Sequence, residues 1–106
     1  MKTKRHHKLL TKELERQFPP LYANEGKDPT EVLVVAKFFC PYTGNMTWYA
    51  TEYDGEDLFF GLVEGQEKEM GYFSLSELES SLMYGYAPAI ERDMYFGKHY
   101  LSEFTS

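Results

Sequence analysis

At 106 residues, with 42% hydrophobic and 26% charged side chains, the chain has the size and composition of one globular core. Its single cysteine, Cys40, excludes an intrachain disulfide framework and points to a reducing compartment. A formal charge of −6 opposes contact between the body of the protein and a phosphate backbone.

That charge is unevenly placed. Up to Arg16 there are six basic residues (Lys2, Lys4, Arg5, Lys8, Lys12, Arg16) and two acidic ones (Glu13, Glu15), a balance of +4; the five basic and fifteen acidic residues that follow give −10. Residues 1–8 read as a basic, flexible arm and residues 9–106 as a single domain, with the arm alone suited to nucleic acid or another anion. The longest apolar run, Val32 to Phe39, is interrupted by Lys37 and is too short for a membrane span or a signal-peptide core. The expectation is a cytoplasmic protein with no membrane contact.

In chain order, Thr11 caps a helix running to Phe18, with Leu10, Leu14 and Phe18 on one face and Pro19-Pro20 stopping it. Leu21-Tyr22 docks that end onto the core, and residues 23–30 form a loop. The nearly continuous apolarity of Val32 to Phe39 predicts a central strand buried on both faces. Met46 to Glu52, Leu58 to Val63 and Glu69 to Phe73 follow as strands, separated by turns that include Asp54-Gly55, a hairpin signal. Met46 to Glu52 reads as an edge that could pair between copies, so a homo-oligomer is possible. Ser74 with Glu77 is a capping box opening a second helix, with Leu75, Leu78 and Leu82 on one face. Tyr84 to Pro88 reads as a loop, Ile90 to Phe96 as a short final strand, and the last ten residues as an uncommitted tail. The fold class is α+β: an antiparallel meander sheet of four to five strands, an N-terminal helix and a second helix after strand four, both helices on one face.

Catalytic and metal motifs are missing from this pattern. His6 and His7 are adjacent and so point apart, His99 is remote, and Cys40 has no partner at a ligand spacing. No metal, cofactor or catalytic residue is assigned. Asp54 to Asp57 reads as a solvated acidic turn, and Gly61, Gly65 and Gly71 sit in strands and turns, not in a phosphate loop. Glu52, Glu64, Glu67 and Glu69 lie near strand ends, where acids ordinarily solubilise or protect edges.

The distinguishing feature is aromatic content: nine Tyr, eight Phe and one Trp, or 17%, about twice the ordinary share. Rings stabilise a thin sheet efficiently and also favour interfaces. On strand Met46 to Glu52, alternation places Trp48 and Glu52 on one face with Thr47, Tyr49 and Thr51 on the other. Tyr72 stands beside Phe73 on the fourth strand. Arg92, between Glu91 and Asp93, reads as an arginine locked by a carboxylate, and secondarily as a rigid fork for a planar or anionic group. Trp48, Tyr49, Glu52, Tyr72 and Arg92 are the candidate binding residues.

Several ordered blocks carry a resemblance: residues 9–14 (LLTKEL), Pro19-Pro-Leu-Tyr22, Lys37-Phe-Phe39 with Pro41, Thr47-Trp-Tyr49, Phe59-Phe-Gly61, residues 71–78 (GYFSLSEL) and Ile90-Glu-Arg-Asp93. Together, over about residues 8–96, the chain resembles the domain-of-unknown-function 2958 family of bacterial plasmids, phages and other mobile elements. The resemblance implies a cytoplasmic accessory of a mobile element and brings no activity, cofactor or catalytic residue. The leading expectation is a non-enzymatic binding module that recognises a host protein or small ligand through an aromatic and acidic surface. Two alternatives are an acidic decoy mimicking DNA and a small hydrolase using a carboxylate pair, Glu52 with Glu69.

Overall fold

The computed structural model describes residues 8–83, 85 and 87–105, so the expected basic arm lies outside the described residues except for Lys8. Thr11 caps the first helix, its hydroxyl accepting from the Leu14 N–H at 3.1 Å. Helix α1 spans Lys12–Glu15. Beyond it the winding tightens, with Gln17 and Phe18 donating to the carbonyls of Leu14 and Glu15, three residues back. Pro19 disfavours α-geometry in the residue before it, so the expected helix to Phe18 ends in this tighter turn.

The segment expected as one strand from Val32 to Phe39 is two. After a 3₁₀ turn, Pro29–Glu31, strand β1 (Leu33–Val34) ends at Val35 and β2 (Ala36–Phe39) begins. The break has a local cause: Val35 donates its N–H to the Ala50 carbonyl at 2.9 Å, while Ala36 is the ladder partner of the same Ala50. Two residues against one is bulge geometry, and it reverses the side each following residue faces. Val32 and Val34 enter one core, and Ala36 and Phe38 enter the other. The segment does serve both faces, by a break in phase within it.

Strands β3 (Thr47–Tyr53), β4 (Leu58–Glu64) and β5 (Lys68–Ser74) form the meander, and α2 (Leu75–Ser80) follows directly. The helix start is doubly held. The Ser74 hydroxyl oxygen accepts from the Glu77 N–H at 3.2 Å, and Asp57 accepts from the N–H groups of Leu75 and Ser76, each at 2.8 Å. Leu82 lies beyond the helix, in β6 (Leu82–Met83), which pairs with β7 (Ala87–Pro88) in place of the expected loop. The expected final strand is only β8 (Glu91–Arg92). The last residues are no tail: β9 (His99–Tyr100) pairs with β1, and α3 (Ser102–Thr105) follows.

The main sheet is antiparallel, in the order β5-β4-β3-β2-β8, and the class is α+β. Its centre is β3, so Met46 to Glu52 is no edge; the long edge is β5. Helices α1 and α2 pack on a first face around Phe38, Phe59 and Leu78, and α3 covers part of the second face with Leu101 and Phe104 against Tyr49. Phe59 is fully buried, with the rings of Phe18, Phe38, Tyr53 and Phe73 all within 5.5 Å of it, centroid to centroid. Each such pair adds on the order of 1 kcal/mol to the area it buries.

Opposite Ala50, Gly61 leaves room for the β3 main chain: a Cβ there would land on the Tyr49 carbonyl oxygen. Its neighbour across the ladder, Gly71, has open space around the same position. Gly61→Ala is expected to cost about 3 kcal/mol and Gly71→Ala no more than about 0.5 kcal/mol. Urea denaturation of the two variants measures this, and equal midpoints would contradict the close approach.

Candidate functional site

The site begins with a second bulge, on the other side of the same Ala50. Ala50 pairs with Gly61, but the next rung joins Glu52 to Phe60, leaving Thr51 as an extra residue. The Thr51 hydroxyl donates to the Phe60 carbonyl at 3.1 Å. Because of the extra residue, Glu52 leaves the face of Trp48 and joins that of Tyr49, while Tyr53 joins Ala50 and Phe59 in the first core. Strict alternation from Met46 onward therefore misplaces Glu52.

On the second face Glu52, Phe60 and Tyr72 form one cross-strand row. Glu52 is only 4% exposed. A buried carboxylate needs partners, and the loop that follows Pro20 supplies them: the N–H of Tyr22 donates to Oε1 at 2.7 Å and that of Asn24 to Oε2 at 3.1 Å. This grip holds Tyr22 at a φ of 72°, a left-handed conformation that costs a non-glycine residue on the order of 1 kcal/mol. The Tyr22 ring is thereby turned outward, contrary to the expected docking, and remains 65% exposed. Its hydroxyl meets that of Tyr72, and this hydrogen bond raises the Tyr72 pKa above its ordinary value.

Between the loop and the strands lies a groove of about 430 Å³. Phe60, Met70 and Tyr72 line it from the sheet, Tyr22 and Lys27 from the loop, and Leu101 from the C-terminal segment. Met70 and Tyr72 are 44% and 50% exposed. Polar character comes from Glu52, Glu25, Lys27 and Asn24, whose Nδ2 is buried without a hydrogen-bond partner among the described residues. An apolar recess with a few converging polar groups is the usual form of a binding site.

The five candidate residues separate. Glu52 and Tyr72 come together in the groove. Tyr49 is buried beneath the C-terminal segment, stacked on Phe104 at 4.2 Å between centroids, and burial raises its pKa. Trp48 and Arg92 flank Phe38 on the first face. Trp48 packs half-buried against the first core. Arg92 is held by a backbone carbonyl and not by the expected carboxylate: Nε and Nη2 both donate to the Lys8 oxygen at 3.1 Å, and burial lowers its pKa. That anchor precedes Leu9, which is fully enclosed in the first core. Glu69 pairs with Val63 on the face of Trp48, so the sheet separates it from Glu52 and the two cannot share a substrate.

A profile described as a protein of unknown function, DUF2958, matches residues 3–106, essentially the whole chain. The chain belongs to this family. No curated protein and no solved structure gives a significant match. In this member of the family, the described residues contain no helix long and apolar enough to cross a membrane and no group of three or more His, Cys, Asp or Glu placed to hold a metal.

Sequence reasoning missed Tyr22, Asn24, Phe60 and Met70. Met70 carried a usable signal, since it alternates with Tyr72 on one strand; Tyr22 carried none, because its exposure depends on a contact thirty residues away in sequence. Leu101, Ser102 and Phe104 also escaped notice, though Leu101 and Phe104 have helical spacing. The C-terminal wall is fastened by His99, whose Nδ1 lies 2.8 Å from Glu103 Oε1, while Tyr100 N–H donates to Oε2 at 2.6 Å.

Two outcomes are expected. Glu52→Ala strands two part-buried N–H donors and costs about 3 kcal/mol, and Glu52→Gln, which keeps one acceptor, costs about half as much. Hydrogen exchange should localise the loss to the Tyr22 and Asn24 amides; unchanged protection there would refute the clamp. The second concerns pH. The hydrogen bond to Glu103 raises the His99 pKa above the ordinary 6.5, and the bond from His99 holds the Glu103 pKa below the ordinary 4.5. A raised histidine stabilises fully below its ordinary value and stops doing so as pH climbs through the folded value. A lowered carboxylate stabilises above its ordinary value and fails as pH falls through the folded one. The pair is at full strength between 4.5 and 6.5, so Leu101 and Phe104 amide protection, corrected for intrinsic rates, should decline above that window. His99→Gln should remove the decline.

Proposed function

We propose that the protein is a non-enzymatic binding module whose groove takes an apolar or aromatic group bearing a positive charge or hydrogen-bond donor, from a small ligand or a partner protein. One observation carries the reading: the buried Glu52 carboxylate lies beside an open recess floored by Phe60, Met70 and Tyr72. Each Glu52 oxygen accepts one backbone bond and keeps a further lone pair for a donor. The aromatic floor favours a flat or cationic guest. Part of the ordering cost of binding is met before the ligand arrives, because the loop is already held.

The setting belongs to the same proposal: a cytoplasmic accessory of a plasmid, phage or other mobile element, acting on a host component. The acidic-decoy reading has less support, because many carboxylates are engaged within the chain. Asp28, Asp54 and Asp57 accept from nearby backbone N–H groups, as do Glu52 and Glu103. A mimic of DNA needs ordered rows of carboxylates facing solvent.

Phenethylammonium, a ring with one cationic donor, is a suitable probe. Titration should shift the backbone amides of Tyr22, Thr51 and Met70, and Tyr72→Ala should weaken binding about three- to tenfold. Trp48→Ala and Arg92→Ala should bind within about twofold of the parent, since both lie on the opposite face. Shifts clustered around Trp48 would overturn the assignment.

A further inference from the structure

We propose that the groove's natural occupant is an extended basic peptide segment of a partner protein, added as a sixth strand along the outer edge of β5. The inference rests on the binding-module reading and adds the class of partner and the manner of its docking.

Three observations support it. First, β5 pairs with β4 on one side, and among the described residues no strand pairs with its other side. Second, the phase of the ladder is known. Asp54 N–H donates to the Leu58 carbonyl and Gly65 N–H to that of Glu67, at 2.9 and 3.0 Å. Hydrogen-bonded and non-hydrogen-bonded pairs alternate along an antiparallel ladder. From these two bonds, Glu69, Gly71 and Phe73 turn their backbone groups toward β4, whereas Met70 and Tyr72 turn theirs outward. The residues that offer main-chain donors and acceptors at the edge are therefore the ones whose side chains line the groove. A peptide pairing there would lay alternate side chains over Met70 and Tyr72 and toward Glu52, as strand addition does: main-chain bonds provide affinity and a recess reads alternate residues.

Third, the charge selects the guest. Glu25 and Glu52 line the groove, and Glu67 and Glu69 are exposed on the strand and the turn before it. Of the basic residues nearby, Lys27 stands on the loop wall of the groove, and Lys68 is engaged by Glu64 at 3.6 Å and by the Phe104 carbonyl at 2.9 Å, so carboxylates outnumber lysines around this edge. A second copy of this chain would bring the same carboxylates against these, so self-pairing along β5 is disfavoured and a basic strand is favoured.

The test uses a short fluorescent peptide alternating Phe with Lys, titrated into the full chain by anisotropy. Binding should appear, weaken about tenfold when each Lys is replaced by Glu, and weaken with added salt. Two further peptides carry backbone N-methyl groups on alternate residues, one set on each register. One set should lose about tenfold or more in affinity while the other binds within about twofold, because only one register faces β5. On binding, the Met70 and Tyr72 amides should gain exchange protection. Equal binding of both N-methylated peptides overturns strand addition, as does a concentration-dependent dimer that protects the same two amides. If no peptide binds while phenethylammonium still shifts the groove amides, this inference fails and the binding-module reading stands; if neither binds, both fail.

Discussion

Ala50, at the centre of the sheet, is flanked by two irregularities at the same height. On one side Val35 and Ala36 share it; on the other, Thr51 is inserted before the next rung of the β3–β4 ladder. Each irregularity reverses which face the following side chains take. Through Val35 the chain feeds a core on the second face and then one on the first. Through Thr51 it sends Tyr53 into the first core and Glu52 out of it. Without the second insertion, regular alternation would direct Glu52 toward the apolar cluster around Phe59, where a carboxylate has no partners and burial costs several kcal/mol.

With the insertion, Glu52 is still buried but meets a loop whose own turns leave the Tyr22 and Asn24 N–H groups for it. Two backbone N–H groups offset much of its desolvation, and the favourable geometry supports the left-handed backbone of Tyr22. Strain at Tyr22 and burial at Glu52 are two sides of one contact, which keeps an aromatic ring exposed beside a recess instead of letting it fill the recess. The opposite wall depends on a different contact, the His99–Glu103 pair, with the Tyr49–Phe104 stack behind it. The groove is the space these two anchored segments leave uncovered on the second face.

Its position beside β5 also bears on how an open edge avoids pairing between copies. Edge strands are commonly protected by charge, and Lys68 and Glu69 are exposed at one end of β5, next to Glu67. Tyr72, toward the other end, leaves apolar surface at the groove. In the proposed complex the same acidic residues would discourage pairing between copies and favour a basic strand, so one feature would serve both ends.

Local chemistry made much of this protein legible from its residues. The Thr11 and Ser74 caps, the meander from Thr47 to Ser74 and the class of the fold all follow from short-range hydrogen bonding and side-chain periodicity. Long-range packing decided the rest. Alternation along an unbroken strand puts Trp48 beside Glu52, and one inserted residue, Thr51, parts them; Arg92, on β8, is placed by its pairing with Phe38 on the face of Trp48. A tail is the natural reading of the last ten residues because two-residue strands and a four-residue helix have too little periodicity to register; residues 99–105 are ordered by pairing with β1 and by the stacking of Phe104 on Tyr49, 55 positions earlier. Propensity and pattern are properties of neighbouring residues, whereas a groove is made by segments that meet only after the sheet has formed.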